Sequence, residues 1–234
     1  MTELADVYAL DMGRRTIDKD MWLAEFSKCT TKPQILEVGW GDGRLSRLCG
    51  DHASFWFGIE IDPDIVPDQT GEKVAVYLAD AATEDVWVDL KDELIFVDLV
   101  IIPYSTLYLI PHAQQIAVIQ HALGVAPKVL VEVFVPQWTS SGSYVQLGAC
   151  ASPEGDDRMW ARRSEFTVDA ATQTTKAVRT YGPVGQAYVH QLEETIYWRM
   201  PSDLQSVVAA AGLKTDLRSG APVPAGHVLL EVTK

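Results

Sequence analysis

The chain is short of nearly everything that would send it to a membrane, a nucleic acid or an oxidising compartment. Cysteine is sparse: Cys29, Cys49 and Cys150 are odd in number and far apart. That excludes a disulfide framework and the paired spacings of a zinc site, and makes each a small buried or half-buried thiol. Basic charge is short as well. Only 19 Lys and Arg stand against 32 Asp and Glu, a formal net charge of −13, and the longest basic runs are Arg14-Arg15 and Arg162-Arg163. So acidic a chain repels phosphate backbones and anionic lipid, so neither nucleic acid nor a membrane surface is an expected partner. No apolar run reaches the roughly 18 residues of a spanning helix. The opening Met1-Thr2-Glu3-Leu4-Ala5-Asp6 is acidic, where a secretory signal needs a basic start and an apolar core. The expected location is the cytoplasm. Internal repeats and low-complexity segments are missing too, and 234 residues suffice for one large domain or a core with an insertion.

What is present is a rhythm of short apolar runs and helical stretches. Strands are expected at 35–38, 55–60, 74–78, 97–102 and 129–134, with helices over about 44–49 and 112–123. Near-continuous apolar strands alternating with helices mean a parallel sheet covered on both faces. Residues 1–30 read as two helical pieces broken by Gly13, with Thr16 as N-cap of the second and Asp18 in its first turn. Residues 137–200 break the rhythm. They open polar and loop-like, then give two stretches rich in Thr, Val, Tyr and Trp, 163–181 and 186–200, joined by Tyr181-Gly-Pro-Val-Gly185 as in an antiparallel hairpin. A helix capped by Ser202 and ending at Gly212 follows, then strands 214–218 and 227–232. The expected architecture is α/β: a doubly wound, mostly parallel seven-stranded sheet with a β-rich antiparallel insertion after the fifth strand.

The sharpest local signal is Glu37-Val-Gly39-Trp-Gly41-Asp-Gly43-Arg44. A strand running into closely spaced glycines lets a ligand approach the backbone where side chains would block it. The dinucleotide fingerprint needs a small residue where Arg44 stands, so that reading fails, and no Gly-Lys-Ser/Thr of a phosphate loop occurs. Glu60 ends the second strand, 21 residues after Gly39, where a carboxylate can accept both ribose hydroxyls. Asp80 follows 20 residues later at the third strand's end, where it can accept from an adenine amino group. Three neighbouring strand ends at the carboxyl edge of a doubly wound sheet form the usual ligand crevice.

The segments Ile35-Leu-Glu-Val-Gly-Trp-Gly-Asp-Gly43, Phe57-Gly-Ile-Glu-Ile-Asp-Pro63, Leu78-Ala-Asp80 and Val97-Asp98-Leu-Val-Ile resemble class I S-adenosylmethionine-dependent methyltransferases. They cover residues 33–135 in the right order. The resemblance implies a Rossmann-like methyltransferase core at 31–136 and 201–234. It also implies S-adenosyl-L-methionine as cofactor, with S-adenosyl-L-homocysteine as its product. On that likeness Glu37, Gly39 and Gly41 hold the methionine part, Glu60 grips the ribose and Asp80 reads the adenine, with Trp40, Ile61, Ala81 and Pro103 also cofactor-binding. Trp40 stands where the family has a small residue or cysteine, and would narrow the methionine channel. Tyr8-Ala-Leu-Asp-Met-Gly13-Arg-Arg15-Thr16 followed by Trp22-Leu23 is similar to the N-terminal lid of glycine and sarcosine N-methyltransferases. It is also similar to that of N-methyltransferases that dimethylate amino sugars in antibiotic pathways. The likeness makes 1–30 a lid, pairs Arg15 with the methionine carboxylate, and sets Tyr8 beside the transferring methyl. Those enzymes also carry an antiparallel sheet after the fifth strand, here 137–200, over the active site.

An amine needs only to arrive deprotonated, whereas a hydroxyl nucleophile usually needs a base or a metal. The histidines His52, His112, His121, His190 and His227 are scattered through the chain, so the expected site is metal-free. Tyr8, Tyr104 and His112 are the catalytic candidates, with Ser105, Tyr108, Glu132 and Trp138 also on the acceptor side. Three readings stay open: N-methylation of a small-molecule acceptor, O-methylation with His112 or Glu132 as base, and a non-catalytic partner protein that binds the cofactor. The sequence leaves a homodimer open.

Overall fold

The computed structural model describes residues 15–67, 71–93, 97–151 and 159–234. Five parallel strands come first in the chain: β1 (Gln34–Val38), β2 (Phe55–Glu60), β3 (Val74–Leu78), β4 (Leu99–Ile102) and β5 (Lys128–Phe134). Two more close the chain, β10 (Lys214–Arg218) and β11 (His227–Thr233). Together they form one seven-stranded sheet in the order β10-β11-β5-β4-β1-β2-β3, in which β11 runs opposite to the other six strands. The strand order reverses beside β1, and β1 leads into the glycines.

Period-two alternation divides each central strand between two cores. Leu36, Val38, Val100, Ile102, Val129 and Val131 face one side, against α3 (Asp85–Asp92), α4 (His112–Val125) and α5 (Pro201–Ala210). Ile35, Leu99, Ile101 and Leu130 face the other, with Met21, Trp22 and Phe26 of α1 (Lys19–Phe26) and Leu45 and Cys49 of α2 (Arg44–Cys49). Being buried on both faces is what makes these strands uniformly apolar. The described part of the segment read as a lid, α1, is thus built into the core. Its helix starts later than expected: Asp18, not Thr16, is the N-cap residue, and it makes no side-chain cap bond because its carboxylate is engaged elsewhere. At the other end, Pro201 opens α5 with Met200 as N-cap, so Ser202 lies inside the first turn. Proline suits a first helical position, where its missing N–H would go unbonded anyway.

The insertion is a separate antiparallel sheet of four strands rather than a hairpin, in the order β6 (Gly142–Ala151), β7 (Met159–Asp169), β8 (Thr174–Pro183) and β9 (His190–Tyr197). Two features hid the extra strands. The turn between β7 and β8 contains neither Gly nor Pro. It is made instead by the Asp169 carboxylate, which accepts from Ala171 N–H at 2.9 Å, and by Gln173 at φ 52°. β6 is an edge strand with Val145 and Leu147 exposed, paired along its length with β7 and packed through Tyr144 on Trp138 and Cys150 beside Trp160. Tyr108 joins the two sheets: its ring is buried edge-on to Phe134 and its hydroxyl donates to Arg199 C=O at 2.7 Å.

Candidate active site

After β1 the chain alternates Gly39, Trp40, Gly41, Asp42, Gly43. All three glycines are left-handed, at φ 75°, 61° and 76°, a conformation that costs other residues energy. Gly39 and Trp40 N–H both donate to Ile59 C=O, at 2.9 and 3.1 Å, and pin the loop to β2. The Glu60 carboxylate completes the anchor. It accepts from Gly41 N–H at 2.8 Å on Oε2, and from Ile61 and Asp62 N–H at 2.8 and 3.0 Å on Oε1. Nothing lies within 4 Å of where a Gly41 Cβ would stand, so the loop backbone is open there, whereas Gly39 is covered by the Thr106 side chain.

Trp40 does not simply wall a channel. It borders the cavity, but the residue is only 4% exposed and its ring lies across Gly58 and Gly43. A Cβ on Gly58 would fall 2.5 Å from Trp40 Cγ. The large residue in the loop and the missing side chain on β2 are one packing unit.

Arg44, whose presence broke the dinucleotide pattern, is buried at the start of α2. Its guanidinium grips the Asp18 carboxylate with both nitrogens, at 2.5 and 2.7 Å, and also donates to Arg15 C=O at 3.0 Å. The segment before α1 is thereby tied to the glycine loop.

At the end of β4, Pro103 is followed by two non-glycine residues in the left-handed region, Tyr104 at φ 49° and Ser105 at φ 63°. Such strain persists only where the surroundings enforce it. Here Glu132 enforces it from β5: its carboxylate accepts Tyr104 N–H at 2.9 Å and its carbonyl accepts Ser105 N–H at 2.9 Å. The Tyr104 ring is thereby presented beneath the Arg15 guanidinium, whose carbon lies 5.0 Å from the ring centroid, and 6.1 Å from the His227 ring. Stacking of this kind suits a guanidinium better than an ammonium.

Two cavities meet over the loop. One, of about 480 Å³, is bordered by Gly41, Glu60, Ile61, Asp80, Ala81 and Leu109, and its edge carries the exposed apolar side chains Ile61 and Leu109. Asp80 Oδ1 accepts Ala82 N–H at 2.8 Å. The other, of about 400 Å³, runs from Arg15, Glu37 and Trp40 past Pro103 and Tyr104 to the insertion sheet. There the wall is aromatic near the core (Trp138, Phe166, Trp198) and polar beyond it, with Ser164 and the paired Arg179 and Glu194. Gly39, Gly41 and Thr106 belong to both cavities.

Two buried carboxylates set the electrostatics. Burial pushes the Glu37 carboxyl up to about 8, overcoming the nearby Arg44 charge and the 2.9 Å bond from Trp56 Nε1. Burial also raises Glu132, against the opposing effect of His227.

The structure therefore gathers Arg15, Glu37, Gly39, Trp40, Gly41, Pro103 and Tyr104 around one cavity and Glu60, Ile61, Asp80 and Ala81 around the other. It does not bring in His112. That ring borders neither cavity, lying edge-on to Tyr197 with Nε2 3.1 Å from Trp198 C=O, where it fastens α4 to the insertion. Tyr8 lies outside the described residues. Sequence reasoning gave no site role to Asp18 or His227, neither of which stands in a local motif, and it named Tyr104, Ser105 and Tyr108 around Thr106 but not Thr106 itself. His227 is placed only by strand pairing: β11 sets it opposite Phe134, diagonal to Glu132 on the same face of the sheet.

No protein-family model and no curated protein sequence matches the chain. Solved structures do. The CcbJ methyltransferase from Streptomyces caelestis is 16% identical with a TM-score of 0.76, over 96% of this chain and 94% of its own. CalS10, an amino pentose methyltransferase from Micromonospora echinaspora involved in calicheamicin biosynthesis, is 16% identical with a TM-score of 0.71, over 100% and 97%. The sugar N-methyltransferase KedS8 from Streptoalloteichus is also 16% identical, with a TM-score of 0.72 over 100% and 94%. The fold of this chain is that of S-adenosylmethionine-dependent methyltransferases.

Proposed function

We propose that the chain transfers a methyl group from S-adenosylmethionine to a small-molecule acceptor, at an amine nitrogen. The observation that carries this reading is the junction of the two cavities. A glycine loop with open backbone at Gly41 lies between a chamber with carboxylates at two successive strand ends and one roofed by aromatic and polar side chains. The similarity to CalS10 and KedS8, named as amino pentose and sugar N-methyltransferases, supports the nitrogen.

The residues fit the cofactor. Glu60 has three of its roughly four lone-pair positions filled by backbone N–H groups, so one ribose hydroxyl completes it; accepting both would cost a backbone bond. Asp80 keeps Oδ2 for an adenine amino group, with Ile61 and Leu109 as apolar flanks for the ring. Glu37 and Arg15 suit the ammonium and carboxylate ends of the methionine part, Arg15 in the forked geometry a lysine cannot reproduce. When bound, the cofactor supplies a sulfonium methyl, open to in-line attack. The chain's task is then to hold the acceptor in line and exclude water, which alone is worth roughly 7–11 kcal/mol. Tyr104 and Trp138 wall the acceptor side of that line, and Tyr8 belongs to the same proposal as a group near the methyl.

Calorimetric titration with S-adenosylmethionine tests the reading directly. The wild type should bind at micromolar levels. Glu60→Ala removes a hydrogen bond to a charged acceptor and frees the loop amides, so binding should weaken by about 1.5–3 kcal/mol, or about ten- to 150-fold, with the fold retained by circular dichroism. A wild type that binds neither S-adenosylmethionine nor S-adenosylhomocysteine would overturn the proposal.

A further inference from the structure

We propose that His227 takes the proton from the acceptor nitrogen, and that Glu132 is its positioning residue; this rests on the methyl-transfer reading above. His227 opens β11 just after the turn at Gly226, and its ring borders the cavity beside Tyr104 with the side chain 17% exposed. Its Nδ1 lies 2.9 Å from Glu132 Oε1, and the Glu132 side chain is completely buried. With Nδ1 turned inward to that carboxylate, the proposal gives the acceptor's proton to Nε2, the other ring nitrogen. Glu132 is held from its other oxygen by Tyr104 N–H, the same bond that keeps Tyr104 in its left-handed conformation. One buried carboxylate thus holds the aromatic wall by a hydrogen bond and lies within ion-pair distance of the imidazole, where its charge favours the protonated ring. The charged groups around the pair are Glu132 from β5, Asp18 and Arg44 at longer range, and Arg15 over the Tyr104 ring.

The step balances without any further reactant. The nitrogen lone pair forms the N–C bond as the C–S bond breaks, and the C–S electron pair stays on sulfur, which becomes a neutral thioether. The methylated nitrogen, now positive, gives its proton to Nε2. The resulting imidazolium is paired with the Glu132 carboxylate, which stabilises charge that a lone imidazole in this cavity would bear unassisted. The proton then leaves to solvent.

The test follows the His227 imidazole by NMR as pH is varied, its signal identified by its loss in His227→Gln. Wild-type protein is compared with S-adenosylhomocysteine bound and with S-adenosylmethionine bound, ligands that differ by one methyl and one positive charge. If the ring lies by the transferring methyl, that charge should lower its titration midpoint by about one pH unit. Glu132→Gln should lower the midpoint in both complexes, and His227→Gln should keep its affinity for S-adenosylmethionine within threefold. Equal midpoints in the two wild-type complexes would overturn the proposal, whether or not Glu132→Gln folds. A tenfold loss of cofactor affinity in His227→Gln would also overturn it, by making the residue part of cofactor binding. Failure of the wild type to bind S-adenosylmethionine is a different result: it removes the methyl-transfer reading, and this step with it.

Discussion

Asp18→Ala should destabilise the protein by about 3–5 kcal/mol, because it removes one partner of a buried ion pair and leaves the other charge behind. The Asp18 side chain is fully buried and that of Arg44 is 10% exposed, so neither can be rehydrated without opening the structure. Both guanidinium nitrogens and Trp22 Nε1 donate to the same carboxylate, at 2.5, 2.7 and 3.2 Å. Alanine therefore strands a cation and an indole N–H together. For a chain this long the loss corresponds to a fall in Tm of roughly 6–20 °C. Arg44→Met should be costly for the complementary reason, leaving Asp18 as a buried anion. The double variant Asp18→Leu/Arg44→Met, which removes both charges, should recover most of the stability, since apolar replacements of a whole buried pair are often neutral. Urea denaturation of all three variants measures this. Single losses below 1 kcal/mol, or a double variant no better than the singles, would show that the pair does not carry the contact between the N-terminal segment and the glycine loop.

The same pair marks where sequence reading ends. Arg44 was legible as a negative, the residue that spoils a dinucleotide fingerprint, but its partner lies 26 positions away at the N-cap of α1. Local signals served well where burial and turn chemistry coincide: β2, β3 and α2 fall at the expected residues, because apolar runs or helical periodicity there are bounded by residues that stop them. They failed where long-range pairing does the specifying. The turn after Asp169 is closed by a side-chain carboxylate and Gln173 rather than by glycine, so two strands read as one. β6 is an edge strand whose Val145 and Leu147 stay exposed, so no inward apolar alternation marks it. Glu132 was in view as an acceptor-side candidate, but that it reaches Tyr104 and His227 depends on the β5–β11 register. Trp40 looked like a departure from the pattern until Gly58 on the adjacent strand supplied the space for its ring.

Glu37→Gln should change how the protein responds to pH both in folding and in binding. Burial raises the Glu37 carboxyl to about 8 despite Arg44 and Trp56, so at neutral pH the empty folded protein carries it mainly protonated, while the unfolded chain ionises it near 4.5. The sign follows from that difference. The native state holds a proton that the unfolded state releases, so this group's contribution to stability is intact below about 4.5 and declines as pH rises through about 8. The decline approaches about 1.4 kcal/mol per pH unit and sums to several kcal/mol across the window. Glutamine mimics the neutral carboxyl and cannot ionise, so the variant should hold its stability between pH 5 and 9 where the wild type loses it. In binding, the ammonium group of the methionine part favours the carboxylate and should draw the proton off. S-Adenosylmethionine should therefore bind to the wild type at pH 7 with release of close to one proton more than to Glu37→Gln, read by calorimetry in buffers of different ionisation enthalpy. The variant serves as the reference that subtracts the ligand's own ionisation. Equal proton release in the two proteins would mean that Glu37 does not meet the ammonium, and that its buried carboxyl serves only to hold Trp56 beneath the loop.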